Sequence, residues 1–279
     1  MKKIGFIDYY ISEWHANNYP SWIKDTSERM GEDFAVCYAY AKKDVSPVDG
    51  RSTDEWCKDM GIEKCDSIAE LCEKSDYVCI LAPSNPEEHL ALCEEAFKSG
   101  KLTYVDKTFA GSFAEAQKIF ELGEKTGTKF FTSSALRYAS ELSEISGYDS
   151  LIVSGAGSNF DEYIIHLCEI AVKLLGCDVK SVSSHPQGKE QYAVSVEFSS
   201  GKSATLVLSP SMPYSVCAEG DGISCFKEVK SKFFLGLIED MLRFYNSGEA
   251  SFDSAETLAV MKLREAAILS RRERRKIEF

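Results

Sequence analysis

Up to about residue 135, short apolar runs alternate with longer stretches whose apolar residues recur at helical spacing. The runs predict strands over 3–7, 34–41, 77–81, 102–105 and 129–131. Helical patterns fill the intervals at 15–29, 53–60, 67–74, 86–99 and 112–126. Ser67 and Ser112 stand where N-caps belong, with Gly100 and Gly127 just past helix ends. This alternation implies α/β architecture, a Rossmann-like, doubly wound parallel sheet with right-handed crossovers. Such sheets bind ligands at the C-terminal ends of their strands, so Asp8, Ala82-Pro83-Ser84-Asn85 and Asp106-Lys107-Thr108 are expected on one crevice.

Beyond about residue 140 the order changes. A strand over 151–154 and a helix over 161–175 precede consecutive strands at 179–185, 192–199 and 204–210. Ser200-Gly201 is a hairpin-type turn between the last two. A strand over 215–218, a Gly/Asp turn and helices over 233–246 and 254–273 complete the chain. Consecutive strands flanked by helices predict an α+β domain with an antiparallel-rich sheet. The expected division is therefore 1–135 and 136–279, with no internal repeat.

Composition narrows the function classes. At 279 residues, 44% hydrophobic and 27% charged, the chain has the make-up of a soluble globular protein. No apolar run approaches the roughly 18–20 residues that span a bilayer, and a strand begins at once without a signal-like core. The expectation is a cytoplasmic protein without a membrane partner. A net charge of −12 argues against nucleic acid. The one basic cluster, 271–276, reads as a solvated helix end that complements the dipole. Ten cysteines include no C-x-x-C pair and fall mostly in apolar segments, as free structural thiols do. His15, His89, His166 and His185 are too scattered to suggest a metal site.

Two groups could carry chemistry. Lys107 follows a strand and reads either as a group that binds a substrate hydroxyl or carbonyl, or as a solvated lysine paired with Asp106. Glu162, His166 and Glu169 share one helical face. They read either as a proton-transfer pair with a nearby acid or as a surface ion pair. At the first strand–helix turn, Asp8 and Glu13 bring negative charge to the place where a helix N-terminus receives phosphate, and Asp8 or Ser12 is expected to cap the helix.

Taken in order, these segments resemble the glucose–fructose oxidoreductase/inositol dehydrogenase (Gfo/Idh/MocA) family. The resemblance rests on Lys3-Ile4-Gly5-Phe6-Ile7 leading to His15-Ala16, on 76–108, on Ser133-Ser134-Ala135-Leu136-Arg137-Tyr138, on 166–176 and on the closing helix pair. It implies a Rossmann domain that binds NAD or NADP and a second domain whose open sheet covers the active site and mediates homo-oligomers. The implied activity is oxidation or reduction of a hydroxyl or carbonyl on a small polyhydroxylated substrate, a sugar or cyclitol. The family's Glu-Lys-Pro falls on Asp106-Lys107-Thr108, and its Asp-x-x-x-His pair on Glu162 and His166. The implied roles are hydroxyl orientation for Lys107, proton transfer for His166 and assistance from Glu162. Arg137 and Tyr138 are expected on the substrate side. Asp8, Tyr10, Ile11, Lys42, Lys43, Pro83 and Asp106 are expected around the cofactor.

The chain departs from the family at the glycine-rich loop. Its three glycine positions hold Asp8, Tyr10 and Glu13, which obstruct the tight turn, the approach of pyrophosphate and the helix–strand packing. No acid ends the second strand to hold a ribose hydroxyl; Lys42 and Lys43 stand there instead and suit a 2′-phosphate. The chain is also short for the family, which implies a trimmed second domain. The alternative is a catalytically silent relative that binds a sugar-like ligand, or a partner subunit, without a nicotinamide cofactor.

Overall fold

A computed structural model describes residues 1–279. The chain divides into two compact units, 1–133 with 237–251, and 134–236 with 252–279. Residues 237–251 belong to the first unit. The reason is burial: Tyr245 is 2% exposed, its hydroxyl donates to the Val78 carbonyl at 2.7 Å, and its ring stacks on Tyr77.

The first unit holds a six-stranded, all-parallel sheet. Its strands are β1 (Lys2–Asp8), β2 (Phe34–Ala41), β3 (Glu63–Lys64), β4 (Tyr77–Ile80), β5 (Thr103–Val105) and β6 (Phe130–Phe131), in the order β3-β2-β1-β4-β5-β6. The helices are α1 (Trp14–Met30), α2 (Thr53–Met60), α3 (Ile68–Lys74), α4 (His89–Ala96, flanked by 3-10 turns) and α5 (Phe113–Thr126). β1 and β4 are central because they are apolar on both faces. Ile4, Phe6, Ile7, Val78, Cys79 and Ile80 are all fully buried, each large aliphatic side chain contributing roughly 1.5–3 kcal/mol. Ser67 and Ser112 accept from Glu70 and Glu115 amides as N-caps, and Gly100 and Gly127 close helical segments with φ of 66° and 71°.

The second unit is built on a seven-stranded mixed sheet. It comprises β7 (Ser150–Gly155), β8 (Val179–Pro186), β9 (Tyr192–Phe198), β10 (Ser203–Leu208), β11 (Ser215–Gly220), β12 (Ile223–Glu228) and β13 (Ile277–Glu278), ordered β12-β11-β7-β10-β9-β8-β13. Only β7 and β10 pair in parallel. Two helices, α6 (Phe160–Leu175) and α8 (Ser254–Glu273), pack on this sheet and each other; α7 (Phe233–Ser247) passes from the second unit into the first. Buried Leu151, Val153, Val194, Val196, Leu206 and Val216 supply the helix-covered face. The opposite face carries a row in register, Phe226, Cys217, Ile152, Thr205, Ser195 and Ser183, in which Phe226 is 63% and Ile152 52% exposed.

Three strands lie outside the sequence expectation. β3 and β13 are two residues long, too short to show a period. β12 is an edge strand with Ile223 and Phe226 both exposed, so its sequence lacks the inside/outside alternation of a half-buried strand. All ten cysteines are free thiols, six of them buried. No helix is long and apolar enough to cross a membrane. The basic cluster ends α8 with its charges engaged: Arg271 pairs with Asp161, Arg275 with Glu273 and Lys276 with Glu197.

Candidate functional site

In the first unit the site-bearing residues sit where β1, β2, β4 and β5 end. Asp8 closes β1 and is 1% exposed. Its Oδ1 accepts from the Tyr9 amide at 2.7 Å and the Ala82 amide at 3.1 Å, tying the end of β1 to the loop after β4. Its Oδ2 is buried without a hydrogen-bond partner. Burial and the charge of Glu13 push the Asp8 carboxyl well above the usual carboxylate range, against the opposing pull of the Tyr9, Ala82 and Tyr10 amides.

Glu13, rather than Asp8 or Ser12, caps α1. The helix starts at Trp14, and the Glu13 carboxylate folds back to accept from the His15 amide at 2.7 Å and from the Ala16 amide. Burial raises the Glu13 carboxyl and nearby Asp106 adds to it, partly offset by His15 and the two amides. Ser12 has a different task. Its hydroxyl donates to Asp49 at 2.7 Å and accepts from Arg51 at 2.8 Å, while the Ser46 hydroxyl donates to its carbonyl. Those contacts pin the 42–52 segment to the turn before α1. Ile11 is buried and Tyr10 half-buried in the same turn.

Lys42 and Lys43 continue the pairing of β2 with β1 through their amides, which donate to the carbonyls of Asp8 and Tyr9. The Lys42 ammonium pairs with Glu88 at 2.6 Å, linking the end of β2 to the 3-10 turn before α4. Pro83 is buried, and its carbonyl accepts from the Lys107 ammonium at 3.5 Å.

Asp106, 1% exposed, is the hub of this end of the sheet. One oxygen contacts His15 Nδ1; the other accepts from the Tyr104 hydroxyl at 3.0 Å and the Lys107 amide at 2.8 Å. Burial alone would raise its carboxyl, but His15 and Lys107 outweigh it and hold Asp106 below the usual range. The His15 ring stacks on Tyr19 at 5.1 Å with planes 9° apart. The Lys107–Thr108 peptide is cis. Sequence reasoning missed the His15–Asp106 pair. The available signal was topological: His15 opens the helix after β1, Asp106 ends β5, and both belong at the C-terminal edge.

The second unit carries the other set. His166 lies mid-α6, its Nδ1 2.7 Å from the Ser134 hydroxyl, with the rings of Tyr163 and Tyr214 at 6.0 Å and 6.3 Å. Burial, and to a lesser degree Tyr163, push the Tyr214 hydroxyl up to about 12; it donates to the Ala156 carbonyl. Glu162 is half-buried one turn before His166. Glu169, one turn after it, is buried and holds Arg137 at 2.8 Å. Arg137 is 5% exposed; it also pairs with Glu256 and lies over the Phe252 ring at 3.7 Å, so two carboxylates and a ring engage its guanidinium. Tyr138 is half-buried against α7, where a Cβ on Gly236 would come within 2.7 Å of it.

The cofactor implied by the resemblance can be tested against these groups. A dinucleotide's pyrophosphate needs free amides at the start of α1 and backbone open to close approach. Here the His15 and Ala16 amides are taken by Glu13, the Tyr9 and Ala82 amides by Asp8, and both acids are buried. As it stands, this cradle does not fit a pyrophosphate.

Residues 41–134 match the Gfo/Idh/MocA oxidoreductase family, described as an NAD-binding Rossmann fold. Solved structures share the whole fold at low identity. A putative myo-inositol dehydrogenase from Sinorhizobium meliloti superposes with a TM-score of 0.77 at 15% identity, over 100% of this chain and 99% of that one. A probable dehydrogenase from Thermotoga maritima gives 0.79 at 16%, over 99% and 98%. The WlbA dehydrogenase from Bordetella pertussis, solved with NADH and UDP-GlcNAcA, gives 0.74 at 12%, over 100% and 99%. Coverage of these chains is nearly complete, so the expected trimming of the second domain does not hold against them. No curated protein matches the sequence.

Proposed function

We propose that this chain, whose residues 41–134 match the Gfo/Idh/MocA family model, is an oxidoreductase of that kind acting on a hydroxyl or carbonyl of a sugar- or cyclitol-like molecule. The observation that carries this reading is polar chemistry kept at the family's positions. Lys107 follows β5 beside the buried Asp106, and His166 is held by Ser134 on α6. Lys107 orients a substrate hydroxyl. His166 accepts or donates the proton at the reacting oxygen, with Ser134 fixing its ring and Glu162 assisting. The family match, with neighbours solved in complex with NAD or NADH, supports NAD or NADP as redox partner.

A second reading draws on the cradle that Asp8 and Glu13 fill: a silent relative that binds the polyhydroxylated ligand without a nicotinamide cofactor. Turnover of a panel of cyclitols and aldoses with NAD or NADP separates the two. Under the first reading, Lys107→Ala and His166→Ala each lower kcat by about 100-fold or more with the fold intact by circular dichroism. Saturable sugar binding without turnover supports the second reading. Turnover indifferent to both substitutions removes these residues from the assignment.

A further inference from the structure

We propose that Asp8 and Glu13 are built-in occupants of the dinucleotide's phosphate cradle, and that a pyrophosphate enters this fold only by displacing them. The inference deepens the second reading, a relative without a nicotinamide cofactor, and rests on the proposed family only in taking this crevice as the dinucleotide cradle.

Three independent contacts carry it. First, the amides that open α1 already have an anion: Glu13 sits on the His15 and Ala16 N–H groups, satisfying donors that a phosphate would otherwise satisfy. Second, Asp8 gathers the Tyr9 and Ala82 amides at the end of β1, and its buried second oxygen has no partner. An orphaned carboxylate oxygen is costly to keep buried, so this acid is poorly satisfied where it stands. Third, the neighbouring chain is fastened down. Ser12, Asp49 and Arg51 hold the segment after β2 against the α1 turn, and the Lys42–Glu88 pair links the end of β2 to the 3-10 turn before α4. The cradle is therefore filled rather than merely stripped of glycines. Two acid side chains occupy its donors, so the exclusion is steric, with like-charge repulsion added wherever they are ionised.

The test is calorimetric titration of the full chain with NADH alone. Wild type is expected to bind no tighter than about 1 mM. Glu13→Ser keeps a side-chain cap for α1 while withdrawing the charge, and Asp8→Gly restores a glycine at the turn. Each is expected to tighten NADH binding about tenfold, the scale of an anion's interaction with a helix N-terminus. Thermal melting establishes that each variant is folded, and Glu13→Gln, which keeps one acceptor, decides if the others are not. Micromolar binding by wild type overturns the proposal. So does a set of folded variants that bind no better than wild type. Because the readout is binding, a variant that gains NADH but turns nothing over sinks the dehydrogenase reading and leaves this inference standing.

Discussion

A carboxylate at position 8 makes contacts a glycine there could not: it binds the backbone of two strand ends, and it places charge beside Glu13. Both acids are shifted upward, mainly by burial. For such groups the native state binds more protons than the unfolded chain between the two pKa values, so stability falls as pH rises through that interval. The cost of ionising them is full above each group's raised folded pKa and is relieved as pH drops toward the ordinary carboxylate value of about 4. Asp8→Asn is accordingly expected to raise Tm at pH 7, with the gain shrinking toward pH 4; a gain unchanged across that range would contradict the assignment. Asp106 works in the opposite sense. Its carboxyl is held low, so its contribution is complete above about pH 4 and is lost as pH falls through its folded value. Asp106→Ala removes the carboxylate that His15, the Tyr104 hydroxyl and the Lys107 amide share, and should cost about 3–5 kcal/mol in urea unfolding. The acids at 8 and 13 are legible in the sequence as missing glycines. Their hydrogen bonds are not, because a cap's identity depends on where the helix starts, and α1 starts one residue earlier than its apolar pattern suggests.

At the scale of elements, the strands and helices that bury a regular apolar face were legible nearly residue by residue: β2 over 34–41, α2 over 53–60 and α8 over 254–273 keep the expected bounds. Packing partners were less so. Gly5 reads as an ordinary strand glycine, yet a Cβ there would meet Leu71 and Ser75 of the α3 end at 2.4 Å. Gly5→Ala should therefore cost about 1–3 kcal/mol by forcing α3 away from β1; an unchanged denaturation midpoint would show that α3 yields freely. The α6 acids divide in a way that spacing alone does not reveal. Glu169 turns inward to Arg137, leaving His166 with Ser134 and two tyrosine rings. Glu169→Ala leaves Arg137 buried beside Glu256 alone and should cost about 3–5 kcal/mol. A motif position carries no record of burial, so the ion pairs that hold Arg137 were not legible from it.

For the whole molecule, the chain order of elements gave two α/β units, while the short or edge strands β3, β12 and β13 and the place of 237–251 in the first unit escaped it, the last because it is tertiary. We propose that the helix-free face of the seven-stranded sheet, with Ile152 and Phe226 exposed on it, meets a second copy of this chain. Phe226→Glu with Ile152→Lys should shift the mass from light scattering to that of a monomer. A mass unchanged from wild type would place the contact elsewhere, and a monomeric wild type would remove it. We propose an oxidoreductase-like chain that keeps its substrate-side chemistry at Lys107 and His166 and fills its phosphate cradle from within. The measurement that bears on it most directly is parallel calorimetry of wild type with a cyclitol panel and with NADH. The predicted result is saturable binding of at least one cyclitol, with NADH no tighter than about 1 mM. Micromolar NADH with no cyclitol binding would contradict it.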